Sequence, residues 1–172
     1  CSICRTAFIL RWCAAPQVYK LPAMTISTDE ARATAERIVA LFENLSPQRL
    51  PELAALYADD ARFKDPFNEV FGTAAVLQIF THMFENLEQP RFVVKQRLAD
   101  GVQIFLVWEM HFRFKRFDTS SAQVIRGGSH LLLAQDGRIR DHRDYWDAAE
   151  ELYEKLPLLG SLMRYLKKRA LS

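Results

Sequence analysis

Residues 24–172 contain no cysteine, because the three cysteines of the chain, Cys1, Cys4 and Cys13, all lie near its beginning. The main body therefore has no disulfide framework, which is typical of proteins from a reducing compartment. On this ground we expect a cytoplasmic protein. The pair Cys1 and Cys4 lacks the second pair of ligands that a structural zinc site requires, so we expect no bound metal.

Long apolar runs and an excess of charge are also missing. No stretch approaches the roughly 20 apolar residues of a membrane-spanning helix. Arg5, Arg11 and Lys20 precede every acidic residue, and removing these three charges from the formal total of +2 leaves residues 24–172 at −1. A near-neutral body gives no electrostatic reason to expect nucleic acid as a partner. The sequence has no glycine-rich phosphate loop and no nucleophile elbow, so we expect no cofactor.

Large aromatic side chains, by contrast, are plentiful. The chain has 12 Phe, 5 Tyr and 3 Trp among 172 residues, and 49% of its residues are hydrophobic. A chain of this length can bury a core as one domain. So many rings are suited to line a cavity as well as to fill a core.

The first 23 residues differ from the rest of the chain. Their short apolar patch is interrupted by Arg11, which does not fit a secretory signal. Met24 stands just before a helix start, so we expect residues 1–23 to be a disordered leader or non-native extension. A lipoprotein terminus at Cys1 is the alternative. The domain would then span 24–147, followed by a helical tail over 148–172.

The hydrophobic periodicity predicts helices first and strands afterwards. Ser27 and Glu30 form a capping box that opens the first helix, and Gly127 with Gly128 predicts a bulge or sharp bend. This order indicates an α+β fold, with helices packed in the concave face of a strongly curved antiparallel sheet. The predicted elements are helices from Ser27 to about Asn44, from about Arg49 to Ala58 and from Gly72 to about Leu87, a short strand from Ala61 to Lys64, a hairpin of Arg91 to Ala99 and Val102 to Phe117, and strands from Gln123 to Ala134 and from Arg138 to Asp147.

The tail over 148–172 is amphipathic. Pro157 and Gly160 are expected to divide it into two short helices. We expect its apolar face to pack on its own domain or on a twin, and a lid over a pocket or contact with a membrane surface are the alternatives. The apolar residues of that face are Leu152, Leu156, Leu159, Met163 and Leu166.

The last predicted strand carries an unusual row of side chains. Because side chains alternate along a strand, His142, Asp144 and Trp146 share one face, while Arg143 and Tyr145 lie on the other. An imidazole, a carboxylate and an indole in one row favour the wall of a partly apolar pocket over a plain core.

The stretch from Leu56 to Pro66, LYADDARFKDP, resembles the matching segment of ketosteroid isomerases. More broadly, the chain is similar to the NTF2-like superfamily, which includes SnoaL-type cyclases and limonene-epoxide hydrolases. The resemblance implies a cone of three helices in a curved sheet, usually a homodimer through the outer sheet face. It also implies that Asp65, before the proline, is a general base.

Other family positions carry over less well. The helix tyrosine of the isomerases falls at or near Ile38 and their protonated aspartate falls at Ser129. Losing both oxyanion donors would make steroid isomerase activity itself unexpected. The resemblance places Trp108, Met110, Ser129 and Trp146 on the inner face, and we expect these residues and Phe67 to bind a ligand. It places Glu109 and His111 on the outer face.

Two function classes follow from these residues. The first is an isomerase, cyclase or hydrolase that transfers protons on a small hydrophobic carbonyl compound, with Asp65 as base, His142 as acid and Asp144 as its orienter. The second is a non-catalytic module that binds a small molecule or forms a dimer. Two structural alternatives stay open: Asp65 in an Asx-turn, and His142 with Asp144 in ion pairs with Arg62, Arg138 or Arg140.

Overall fold

The computed structural model of the protein describes residues 27–116, 120–155 and 157–170. The expectations for residues 1–23, for the side chain of Leu156 and for the end of a strand at Phe117 lie outside these ranges.

The first helix, α1, begins as the sequence predicts and ends at Glu43. The Ser27 hydroxyl accepts from the Glu30 amide, and the Glu30 carboxylate accepts from the Ser27 amide at 2.9 Å. Its bounds are Thr28–Glu43. At its end, Glu43 Oε1 accepts a hydrogen bond of 2.9 Å from the amide of Val94. This bond connects α1 to the sheet beside a register shift of β3, and it pairs a partly buried backbone amide.

The second helix is shorter than predicted. A 3₁₀ turn over Pro47–Arg49 leads into α2, Leu50–Leu56. The sequence predicts that this helix ends at Ala58. In the structure the chain is already extended at Tyr57, which pairs with Ile139 in the sheet. Sheet pairing thus overrides the helical pattern, and the first strand, β1, spans Tyr57–Lys64.

The remaining elements follow the predicted order, with one addition. The short strand β2 was not predicted, because three residues carry no measurable periodicity. The bounds of the elements up to the end of the sheet are β2 Glu69–Phe71, α3 Thr73–Asn86, β3 Leu87–Asp100, β4 Gln103–Phe114, β5 Gln123–Leu133 and β6 Ile139–Tyr145.

The six strands form one curved sheet in the order β2-β1-β6-β5-β4-β3. Its concave face and the helices bury a common core, so the α+β cone is as expected. The prediction of a wholly antiparallel sheet was wrong, because β1 runs parallel to β6. Strands so far apart in sequence are joined by a long crossover, which removes the constraint that a hairpin places on direction.

Gly127 and Gly128 do not form the predicted bulge. The pairing of β4 with β5 runs through both residues without a register shift. A Cβ atom at Gly127 would lie 2.7 Å from the Trp108 indole, and one at Gly128 would lie 2.8 Å from the Phe105 ring. The two glycines therefore let aromatic rings from the neighbouring strand lie flat across the sheet.

The tail forms α4, Ala148–Glu151, a 3₁₀ turn over Tyr153–Lys155, and α5, Pro157–Ala170. The tail is divided as expected near Pro157, but Gly160 lies inside α5. A Cβ atom at Gly160 would lie 2.2 Å from the carbonyl oxygen of Glu154, so glycine allows a close approach there. Leu162 and Leu166 on α5 are about half exposed. Across the described ranges, no helix is long and apolar enough to cross a membrane.

We predict that Gly127→Ala displaces the Trp108 indole, because the added methyl overlaps it. Overpacking of this kind costs about 1–3 kcal/mol of unfolding free energy. Urea denaturation would measure the loss, and near-ultraviolet circular dichroism would report the moved indole.

Gly101→Ala is the matched control for that substitution. It adds the same methyl where no atom lies within 4 Å, at a positive φ of 54°. It should cost about 1–2 kcal/mol from backbone strain alone and leave the aromatic spectrum unchanged. A Gly127→Ala protein with the wild-type spectrum and stability would show that the methyl group fits without displacing the indole, which would contradict the prediction.

Candidate functional site

The last strand presents its side chains as its sequence predicts. His142 is buried, at 2% exposed, and Asp144 and Trp146 are half-buried on the same side. Tyr145 on the opposite side is 48% exposed, and the Arg143 guanidinium stacks over its ring at 4.8 Å. The concave face of β6 therefore carries the imidazole and the carboxylate, and the indole of Trp146 lies just past the end of the strand.

A cavity of about 340 Å³ opens inside the cone. Eight of its nineteen described lining residues are aromatic, and most of the others are aliphatic or methionine. Six of the eight residues expected to form a site border it: Asp65, Phe67, Trp108, Met110, Asp144 and Trp146.

The other two expected residues, His142 and Ser129, lie behind Asp144 and border a smaller adjoining cavity of about 20 Å³. The His142 imidazole is enclosed by the rings of Phe42, Phe63 and Tyr57, at centroid distances of 6.0, 4.9 and 6.0 Å. The carboxylate thus borders the large cavity and the imidazole supports it from behind.

Five side chains form one hydrogen-bonded chain across the interior. Trp108 Nε1 donates to Ser129 Oγ at 2.8 Å, and Ser129 Oγ donates to Asp144 Oδ1 at 2.5 Å. His142 Nε2 also lies 2.9 Å from Asp144 Oδ1, while His142 Nδ1 lies 2.7 Å from the Tyr57 hydroxyl. Sequence spacing did not predict the contact of His142 with Asp144, because these residues are two apart on a strand.

The direction of these hydrogen bonds follows from what each group can donate. An indole only donates and an ionised carboxylate only accepts. A proton on His142 Nε2 thus faces the carboxylate, and the neutral form of the imidazole then accepts from the Tyr57 hydroxyl at Nδ1. Burial raises the pKa of Tyr57 well above its ordinary value, and the negative charge of Asp144 raises it further. Tyr57 thus remains a protonated donor at physiological pH.

Asp65 occupies the predicted Asx-turn and borders the cavity as well. Its Oδ1 accepts from the amides of Phe67 and Asn68 at 2.7 and 2.6 Å, and the Asn68 side-chain amide donates to both of its oxygens. The two interpretations of Asp65 are therefore compatible.

The predicted arginine ion pairs do not involve the site. Arg62 binds Asp141 and Glu69, and Arg140 lies near Asp60. Arg138 binds Asp59 and Asp136. The ion-pair alternative for His142 and Asp144 was wrong, because each of these guanidiniums faces an acid on the outer surface.

The positions of the isomerase oxyanion donors are occupied as the resemblance indicated. Ile38 is buried in the core, and Ser129 directs its hydroxyl to Asp144. Sequence reasoning missed Tyr57, because that residue was assigned to the end of a helix. A strand beginning at Tyr57 would have brought its side chain to the concave face, and its high β propensity was the available signal.

Glu109 and His111 lie on the outer face, as expected. Glu109 contacts Lys95, His111 and Arg126, and hydrogen bonds from Lys95 and then His111 lower the pKa of its carboxyl. Within the described residues, no three His, Cys, Asp or Glu side chains converge as metal ligands.

We predict that Tyr57→Phe destabilises the protein by about 1–3 kcal/mol, because it leaves a buried imidazole nitrogen without a donor. Urea denaturation at neutral pH would measure the loss. Tyr145→Phe is the control, since Tyr145 is half exposed and should change stability by less than about 0.5 kcal/mol.

The stabilising effect of the Tyr57 hydroxyl should also depend on pH in the alkaline range. The raised pKa of Tyr57 means that the unfolded chain ionises this group first. Its stabilisation is complete below the unfolded pKa, about 10, and is lost as pH rises above it. The stability difference between wild type and Tyr57→Phe should therefore narrow above that pH. A constant difference would contradict the buried, neutral phenol.

Comparisons with known proteins agree with this architecture. A family model for the SnoaL-like domain matches residues 38–142, which is more than half of the chain. No curated protein matches the chain.

Solved structures share the fold at low sequence identity. An NTF2-like protein of unknown function from Burkholderia pseudomallei K96243 is similar with a TM-score of 0.60 and 16% identity, over 70% of this chain and 92% of that one. An LEH-like epoxide hydrolase from M. tuberculosis is similar with a TM-score of 0.58 and 18% identity, over 72% of this chain and 87% of that one. An NTF2-like protein of unknown function from Exiguobacterium sp. 255-15 is similar with a TM-score of 0.57 and 19% identity, over 66% of this chain and 98% of that one. With the family match over its central region, the chain belongs to the SnoaL-like domain family, and it shares its fold with NTF2-like proteins.

Proposed function

We propose that this protein is a cofactor-independent enzyme that transfers protons on a small hydrophobic carbonyl compound, as an isomerase, cyclase or hydrolase. The position of Asp144 carries the proposal. Its carboxylate borders the apolar cavity, while Oδ1 is held by Ser129 and His142. No described residue donates to Oδ2, so this oxygen is available to accept a substrate proton. A carboxylate positioned in this way contributes about 10²–10⁴-fold as a general base.

The geometry supports a division of roles that differs from the sequence expectation. Asp144 is the better candidate for the base, because Asp65 has its Oδ1 engaged by two amides and a side chain. His142 positions Asp144 and Tyr57 positions His142, since neither borders the large cavity. Asp65 is then a second carboxylate at the cavity wall.

A hydrolytic reaction has one further observation in its favour. The small cavity beside His142 and Asp144 measures about 20 Å³, which is enough for one water molecule. A water there would lie next to a carboxylate able to accept its proton. The similar M. tuberculosis structure is an LEH-like epoxide hydrolase, which supports hydrolysis as one reaction of this fold.

The alternative is a non-catalytic module that binds a small molecule in the same cavity. It is favoured by the missing oxyanion donors, since Ile38 can donate nothing and Ser129 is directed to Asp144. The large cavity and its walls of Trp108, Met110, Trp146 and Phe67 serve binding equally well.

Hydrogen-deuterium exchange on hydrophobic ketones would test proton abstraction directly. With β-tetralone in D₂O, wild-type protein should accelerate loss of the acidic C–H signal in proton NMR. Asp144→Asn should slow that exchange by about 100-fold or more. The control is Asp60→Asn, a surface aspartate whose side chain is 74% exposed.

The outcomes separate the two functions. Exchange that is equal in wild type and Asp144→Asn across a panel of such ketones would exclude the general base. If the ketones bind, as seen by tryptophan quenching, and no exchange occurs, the binding module is the correct description.

We further propose that the protein is a cytoplasmic homodimer, joined through the outer sheet face. Leu98, Phe105 and Val107 are exposed there, at 70%, 37% and 36%. Burial of these side chains would favour association. Sedimentation velocity at micromolar concentration should give twice the chain mass of 19.9 kDa, and Leu98→Lys with Val107→Lys should give the monomer. A wild-type monomer at these concentrations would refute the dimer.

A further inference from the structure

The large cavity carries an unbalanced charge. Its described lining includes the carboxylates of Asp65 and Asp144 and contains no lysine or arginine. His82 is the only other titratable group among these lining residues. Carboxylates in an apolar setting are normally paired with a cation, because the unpaired charge is costly to remove from water.

The sheet brings these two carboxylates side by side. The parallel pairing of β1 with β6 places Lys64 opposite Arg143. Asp144 is the next residue of β6, and Asp65 directly follows the end of β1. Asp65 lies two residues after Phe63, and Asp144 lies two residues after His142. Both Phe63 and His142 are buried on the concave face. Neighbouring strands lie about 4.8 Å apart, so two negative charges face the cavity at adjacent positions, where like charges repel.

The nearest cations are engaged elsewhere. Lys64 binds Glu69 at 2.5 Å, and Arg143 stacks over Tyr145. Both border a second groove, which Asp65 and Asp144 also line, but neither lines the large cavity. The groups that bind Asp65 and Asp144 are amides, a hydroxyl and an imidazole, and none of them belongs to a lysine or an arginine.

Aromatic rings surround the same end of the cavity. Phe67 and Trp146 meet edge to face with centroids 5.3 Å apart, and Phe92 meets Trp108 in the same way at 5.7 Å. Ring faces attract cations, and an indole does so most strongly. Carboxylates and aromatic faces together are the chemistry that recognises an ammonium group.

We propose that the ligand of this cavity is a hydrophobic cation, with an ammonium group at the carboxylate end and an apolar remainder among the rings. The inference rests on the proposed function and narrows its substrate to a carbonyl compound that also carries an amine. Electrostatic attraction to Asp65 and Asp144 would orient such a substrate, so that its reactive carbon lies beside Asp144.

A pair of isosteres that differ only in charge provides the test. The probes are (4-hydroxyphenyl)trimethylammonium and 4-tert-butylphenol, with affinities from isothermal titration calorimetry and quenching of tryptophan fluorescence. The cation should bind wild-type protein at least about tenfold more tightly than the neutral probe. Added salt should weaken that preference, because the attraction is electrostatic.

Substitution of the two carboxylates tests whether they cause the preference for the cationic probe. Asp65→Asn combined with Asp144→Asn should abolish it, with folding checked by thermal melting, whereas Asp60→Asn should retain it. Equal or tighter binding of the neutral probe to wild-type protein would overturn the proposal, as would a preference that survives in the double variant. The probe affinities and the ketone exchange are independent measurements. If ketone exchange depends on Asp144 but the cationic probe is not preferred, only the proposed function is supported. If the cationic probe is preferred but no exchange occurs, only the cation site is supported.

Discussion

The interior of this protein depends on keeping a buried polar row satisfied. Trp108, Ser129, Asp144, His142 and Tyr57 form one chain in which each donor meets an acceptor. A buried donor or acceptor without a partner costs about 1–3 kcal/mol, so the chain is stable only as a complete set. Its members come from β1, β4, β5 and β6, and the chain thereby fixes the relative positions of four strands.

Close packing around this row explains residues that have no chemistry of their own. Gly127 lets the Trp108 indole approach β5 closely enough to reach Ser129. The rings of Phe42 and Phe63 pack edge to face against the imidazole of His142. The contacts of both ring nitrogens, with Tyr57 and Asp144, hold the imidazole in one orientation, which in turn fixes the carboxylate of Asp144.

The parallel pairing of β1 with β6 assembles the candidate site. It brings the Asp-Pro corner next to the last strand, although the two segments are about eighty residues apart in sequence. Asp65 is locked by its own turn and Asp144 by the polar row, so both carboxylates are held before any ligand arrives. Rigid charges of this kind favour both proton transfer and selection of a ligand by charge.

The sequence by itself determined the fold class, the order of most elements and the face on which each side chain of β4 and β6 lies. Those features depend on local periodicity and capping, such as the Ser27 and Glu30 box, which any single segment carries. Only the tertiary structure decided the parallel partner of β1, the role of Tyr57 and the order of His142 behind Asp144. These depend on contacts between distant strands, where a shift in register or depth of a few ångströms changes which atom faces the cavity, and no local pattern records that choice.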